Sequence, residues 1–335
     1  MSCSPLHYIH KIESDRRIKK TETKNFAEEK ALTQWWYYDC IFEDGSVLVF
    51  LFTPCQWWDD TEKIPANKSL FYLSYMNANG EVISQKKVFD FKEIQYTKNS
   101  IKSPCFEIKA NHEGHGRKYS IDFRLDSIAG SLKIKSDQKA FSPFPRGSLS
   151  STLASIIKRN AKGLSYQYSA HIPEGMAKCN LEVRNSKLEL NGKAYHEQGR
   201  FTGTPDRMGK GWTWFHFVSK NLNIFGTTGQ FICLDNHGKR EIGGFEKDFS
   251  FSEISYSTKQ KNLMVGGKLN YNSKKMSFEL KPTTKPSTPM IVIPSFDTEQ
   301  LWGSVLQETI VKFQIKKTVV EEKGMMFMET CRMKK

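Results

Sequence analysis

Along most of the chain apolar and polar residues alternate with a period of two, the signature of a β-strand with one buried face. Lys118 to Leu125 (KYSIDFRL) sets Tyr119, Ile121, Phe123 and Leu125 on one side and Ser120, Asp122 and Arg124 on the other. Near the end, Thr309, Val311, Phe313 and Ile315 repeat the pattern, with Lys312, Gln314 and Lys316 opposite. Residues that tolerate positive φ separate such runs at Asn77 to Gly80, Asn111 to Gly116, Asn191 with Gly192, and Asp235 to Gly238. They predict antiparallel hairpins. Only Ser148 to Arg159 (SLSSTLASIIKR) has helical spacing, with Leu149, Leu153, Ile156 and Ile157 on one face and serine at its start as a cap.

The pattern F-x-F-x-E-I-x-Y occurs twice, at Phe89 to Tyr96 (FDFKEIQY) and at Phe249 to Tyr256 (FSFSEISY). An aromatic strand precedes each copy: Gln34 to Cys40 (QWWYYDC) and Gly211 to Phe217 (GWTWFHF). Two β modules related by duplication follow from this order. The expected division is an N-terminal extension over 1–30, a first barrel with its connecting helix over 31–160, and a second barrel over 161–335. Lys281 to Pro289 (KPTTKPSTP) reads as a surface loop before the last strands. Closure of each antiparallel sheet into a barrel hides its edges, and a barrel of about eight strands encloses a small apolar ligand.

A length of 335 residues, 38% of them hydrophobic and 26% charged, supplies enough apolar material for packed cores. The longest apolar run, Val47 to Phe52 (VLVFLF), falls far short of the roughly 18 residues that cross a bilayer as a helix. The first residues lack the apolar segment of a secretory signal, so a cytoplasmic location is expected. Seven cysteines (Cys3, Cys40, Cys55, Cys105, Cys179, Cys233 and Cys331), odd in number and never in a CxxC pair, point to reduced thiols. The formal charge of +14 is carried by scattered lysines. No nucleic-acid partner is expected from that distribution, and weak peripheral contact with anionic membranes is the association it leaves open. His112 and His115 in NHEGHG have no third ligand nearby in sequence, so no metal is expected. No phosphate loop, nucleophile elbow or dinucleotide fingerprint occurs.

The candidate chemistry lies in two aromatic clusters. In QWWYYDC, Trp35, Tyr37 and Asp39 share one strand face and Trp36 and Tyr38 the other, so one set places a carboxylate among rings; an aromatic core with a surface acid is the competing reading. In KAYHEQGRFTGTPDRMGKGWTWFHF, Tyr195, His196 and Glu197 precede Trp212, Trp214 and His216, which alternate onto one face. A carboxyl group buried among rings is penalised when charged, and so is able to deliver a proton at neutral pH. Aromatic faces would hold the resulting cation through their quadrupoles. Taken alone, His196 also fits a structural role in the core.

These motifs resemble those of the carotenoid 1,2-hydratase (hydroxyneurosporene synthase) family and its AttH-like relatives. The resemblance rests on QWWYYDC, on KLELNGKAYHEQG, on GWTWFHF, and on LWGSV and GMMFMET, in that order from Gln34 to Thr330. It implies an all-β chain of two tandem lipocalin-like antiparallel barrels with a short helical connection, and no cofactor. Tyr195 and His196 match the family pattern, whereas Glu197 and Gln198 stand where it commonly has Asp-His.

The combined expectation is a cofactor-independent hydratase or cyclase that takes a hydrophobic small molecule (a polyene, isoprenoid or lipid) into an apolar pocket near the contact of the barrels. Glu197 is its acid, oriented by His196 and helped by Tyr195, and Trp35, Trp36, Tyr37, Asp39, Trp212, Trp214 and His216 bind the substrate. A carrier without turnover, or a pericyclase that only folds its substrate, are the alternatives.

Overall fold

The computed structural model of the protein describes residues 32–53, 68–97, 99–113, 116–138, 140, 165–202, 211–227, 231–236, 239–243, 249–252, 268–272, 276–283, 291–295, 300–315 and 318–332. The described elements are strands, apart from one 3-10 turn at Phe91–Glu93. They fall into two compact units, Met1–Arg207 and Met208–Lys335. The helix expected at Ser148 to Arg159 lies outside the described residues, as does the Pro-rich segment after Thr283.

The first unit opens with a meander of β1 (Leu32–Phe42), β2 (Val47–Thr53), β3 (Lys68–Met76) and β4 (Val82–Asp90). Beyond the 3-10 turn come β5 (Gln95–Tyr96), β6 (Ser100–Lys102), β7 (Phe106–Glu113), β8 (Gly116–Arg124) and β9 (Ile128–Ser136). A long hairpin of β10 (Ser165–Val183) and β11 (Ser186–Thr202) completes it. The sheet runs β4-β3-β2-β1-β11-β10-β9-β8-β7-β6-β5, antiparallel at each pairing. Its last strand thus lies beside its first.

The second unit contains β12 (Gly211–Ser219), β13 (Asn223–Thr227), β14 (Phe231–Asn236), β15 (Lys239–Gly243), β16 (Phe249–Ser252), β17 (Lys268–Asn272) and β18 (Met276–Pro282). After these come β19 (Ile291–Ser295), β20 (Gln300–Ile315) and β21 (Thr318–Arg332). The order β15-β14-β13-β12-β21-β20-β18-β17-β16, with β19 on β20, repeats the plan of the first sheet. The two F-x-F-x-E-I-x-Y stretches fall where the chain passes from one sheet edge to the other: Phe89 to Tyr96 joins β4 to β5, and Phe249 begins β16 after β15. Residues 253–256 of the second copy lie outside the described residues.

The division between units corrects the boundary expected at 160/161. β10 pairs with β9 and β11 pairs with β1 over eleven positions, so hydrogen bonding carries the hairpin into the first unit. The turn expected at Asn191 and Gly192 is corrected too. Both residues lie within β11, opposite Lys178 and Ala177 of β10. The reversal occurs instead at Arg184 and Asn185, both with positive φ (47° and 72°), between the paired Val183 and Ser186. That is a two-residue hairpin loop whose twist suits the flanking strands.

Other expectations hold in detail. In β8, Tyr119, Ile121 and Phe123 are buried while Lys118, Asp122 and Arg124 are exposed. The Asn77 to Gly80 turn is fixed by Gly80 N–H donating to the Asn77 carbonyl (2.9 Å) and by the Asn77 Oδ1 accepting from the backbone of Asn79 and Glu81 (3.0 Å each). The interior of the first unit is aromatic: Phe106 packs against Phe52 and Phe71, each with ring centroids 4.8 Å away, and Phe50 meets Phe71 at 4.7 Å. Burial of such rings supplies the main driving force for curling the sheet around them.

Candidate functional site: a buried carboxyl on the β1–β11 ladder

The register of β1 on β11 sets Trp35 opposite Gly199, Tyr37 opposite Glu197 and Asp39 opposite Tyr195. Because side chains directly opposite project to the same face, these residues share one face of the ladder. Their neighbours Trp36, Tyr38 and Cys40, with Ala194, belong to the interior cluster on the other. The Glu197 face is also buried, since every residue of β2 is buried whichever way it points. Asp39 is 1% and Glu197 6% exposed.

Glu197 is held at both oxygens. The Trp35 Nε1–H donates to Oε1 at 2.9 Å, and the Tyr195 hydroxyl donates to Oε2 at 2.7 Å. The tyrosine reaches the carboxyl because residues two apart on a strand share a face. The indole reaches it because Gly199 has no side chain: a Cβ there would run into the Trp35 ring. The Tyr37 ring stands edge-on to that of Tyr195, with centroids 6.4 Å apart. The result is a carboxyl group with two defined donors inside an aromatic wall.

His196 points the other way. It stacks on Tyr38 (3.8 Å, 3°), meets Tyr119 edge-on at 4.8 Å, and its Nδ1–H donates to the Tyr37 carbonyl at 3.0 Å. The expectation that His196 orients Glu197 is therefore corrected: adjacent strand residues face opposite sides, and Tyr195 and Trp35 do the orienting. Trp36 likewise belongs to the interior, against Phe52 at 5.4 Å.

Trp212, Trp214 and His216 belong to β12 of the second unit. There Trp214 and His216 are buried, with ring centroids 6.1 Å apart. The His216 Nε2–H donates to Asn223 Oδ1 at 2.8 Å. Trp212 pairs with Cys331 in the backbone. These residues thus stand in a different unit from Tyr195 and Glu197.

Sequence reasoning passed over His171 and Arg117. β10 shifts register between Ala170 and Ile172 and again before Gly175, and such bulges re-aim a side chain. His171, fully buried, stacks near His196 at 5.3 Å and accepts from Arg117 at Nδ1 (3.3 Å). The only signal was Pro173, which removes a ladder donor inside a strand. Cys40, Cys105 and Cys179 are free thiols. Burial raises all three, Cys179 to about 12. Among the described residues no three His, Cys, Asp or Glu side chains gather as a metal site. A groove of about 720 Å³ opens along β7 to β10, lined by Lys109, Lys118, Lys133, Lys135 and Lys178 with the exposed Met176.

No protein-family model matches the chain, and no curated protein matches it in sequence. Solved structures do resemble it. An AttH protein from Nitrosomonas europaea superposes with a TM-score of 0.58 at 14% identity, covering 90% of this chain and 92% of that one. Kievitone hydratase from Nectria haematococca superposes with a TM-score of 0.55 at 13% identity, covering 95% and 94%. The chain thus has the all-β, lipocalin-like fold of these proteins, built from two curled antiparallel sheets.

Proposed function

We propose that the protein binds an elongated hydrophobic polyene or isoprenoid-like molecule against the aromatic face of β1 and β11, and hydrates or cyclises one of its double bonds without a cofactor. The observation that carries this reading is the Glu197 carboxyl, buried between the Trp35 indole and the Tyr195 phenol. In its acid form Glu197 gives its proton to an alkene carbon. The electron pair of the double bond forms the new C–H bond and leaves a carbocation on the neighbouring carbon, facing the rings of Trp35, Tyr37 and Tyr195. Water adds to that cation and loses a proton to the Glu197 carboxylate, which restores the acid; attack by a second double bond instead closes a ring and moves the cation to a further carbon, whose neighbouring C–H then gives its proton to the Glu197 carboxylate and leaves a new double bond. The name of the similarly folded kievitone hydratase supports addition of water as the first reaction to assay.

The carrier reading has one observation of its own. Both Glu197 oxygens already accept hydrogen bonds from the protein, which suits a fixed polar anchor as well as a reacting acid. Extraction of the purified protein with organic solvent and mass spectrometry identifies the bound molecule and supplies the substrate for assay. Glu197→Gln keeps the shape and removes the acid. Turnover is expected to fall by ~10² to 10⁴ while ligand stays bound. Equal turnover removes the acid role from Glu197 and favours a pericyclase that only folds its substrate, whereas no turnover in either protein assigns the carrier role.

A further inference from the structure

Strand register arranges the outward face of β7 to β10, within the first unit, in rows. One row runs Lys109, Ser120, Lys133, Lys178, and the next runs Asn111, Lys118, Lys135, Met176. All of these except Ser120 are exposed, while the alternate residues Tyr119, Ile134 and Ala177 belong to the core. Two pairings set lysine directly opposite lysine, Lys133 against Lys178 and Lys118 against Lys135. Like charges so placed destabilise a sheet. Glu107 offsets Lys109 (3.0 Å) and Asp137 offsets Lys135 (3.8 Å). Among the described residues, Lys133 and Lys178 form no ion pair. The row beyond, Glu107, Asp122, Ser131, Asn180, carries acids instead, so the positive charge gathers at one end of the face.

The groove of about 720 Å³ lies along these rows. At the end of the second row Met176 is 58% exposed, an apolar side chain among lysines. Lysine itself carries an apolar stem beneath a compact, strongly hydrated charge. Neither row holds an arginine or an aromatic ring, the residues that clamp single phosphates in two places or stack on bases. Such a surface suits a diffuse field of negative charge spread over an apolar layer.

We propose that the lysine rows of β7 to β10 are a docking face for an anionic membrane surface, with the lysines against the headgroups and Met176 reaching below them. Met176 also faces Lys193 of β11, and Tyr195 and Glu197 follow Lys193 at two and four residues along that strand, on the same side of the pleat. Docking thus applies to the bilayer the side of the sheet that carries the buried carboxyl. The docking does not rest on the chemistry assigned to Glu197, and its failure leaves that chemistry standing.

The test sediments the full chain with vesicles of phosphatidylcholine mixed with phosphatidylserine, and with vesicles of phosphatidylcholine alone. The wild-type protein is expected to bind the mixed vesicles in preference, and to release them as salt is raised. The double variant Lys133→Gln, Lys178→Gln should weaken that binding about twenty-five-fold, or about fivefold for each lysine removed. The charge-matched double variant Lys102→Gln, Lys187→Gln, whose lysines face Glu107 and Glu182, should bind as the wild type does. Because the first variant relieves a repulsion, its urea midpoint should be no lower than that of the wild type, which separates lost docking from lost folding. Equal binding to both kinds of vesicle overturns the proposal. Equal loss in the two double variants does so too, since net charge alone would then account for the binding. If the first variant instead loses affinity for a single-stranded oligonucleotide while its vesicle binding is unchanged, the face serves a soluble polyanion and the membrane reading falls.

Discussion

Gly199 decides where the Trp35 indole lies, and through it how Glu197 is held. Gly199→Ala would push the ring off its place over β11 and break the bond to Oε1, leaving a buried carboxyl oxygen without that donor. Such a loss costs ~1–3 kcal/mol, so turnover or ligand affinity should fall by about ten- to a hundredfold. Titration of the variant with the extracted ligand checks this; wild-type behaviour would mean that Trp35 has no part in the site. A second residue-scale consequence concerns Cys179, whose thiol burial raises from 9.0 to about 12. Below pH 9 the thiol is protonated in folded and unfolded chains alike, and its contribution is fully present. As pH rises from there towards 12 only the unfolded chain releases the proton, so stability falls, by at most about 1.4 kcal/mol per pH unit from this group. Urea unfolding across that range should show the decline, and Cys179→Ala should make it shallower.

At the scale of the elements, alternation was the most legible signal. It located β8 and the second half of β20, because one wet and one dry face leave a trace in every second residue. β2 and β3 are buried on both faces and show as apolar runs, whose depth says nothing of which residues share a face. The Glu197 site suffered from a related ambiguity. Tyr195, His196 and Glu197 are adjacent in sequence, and adjacency suggested cooperation, yet the pleat sends His196 to one face of the ladder and its two neighbours to the other, with both faces buried. Trp35, the true partner, is 162 positions away. Only pairing register brings it there, and register comes from long-range contacts. The hairpin at Arg184 and Asn185 was missed because arginine is not a usual residue at positive φ; Asn191 and Gly192 looked like a turn because the glycine answers to a close interstrand approach that sequence does not reveal.

At the scale of the whole molecule, duplication was visible in the repeated motif, but its seam was not. The β10–β11 hairpin follows the connecting segment in sequence while completing the sheet that precedes it. A chain ending after Arg207 contains all eleven strands of the first sheet, whereas one ending after Asn160 lacks two of them. The longer fragment is expected to unfold cooperatively in urea, and the shorter one to aggregate or show no transition. The reverse result would return the boundary to the connecting segment. The placement of the last strand beside the first also governs timing in the cell. On the ribosome β1 emerges early with its β2 edge satisfied and its other edge bare, and it stays bare until some 150 further residues have been made and β11 appears. β12 then waits in the same way for β21. Each unit therefore passes its synthesis with an open aromatic strand that invites wrong pairing, and its closure is slow because the contacts that finish it are the most distant in sequence. Chaperone demand during translation should peak twice, once before each closing strand leaves the exit tunnel.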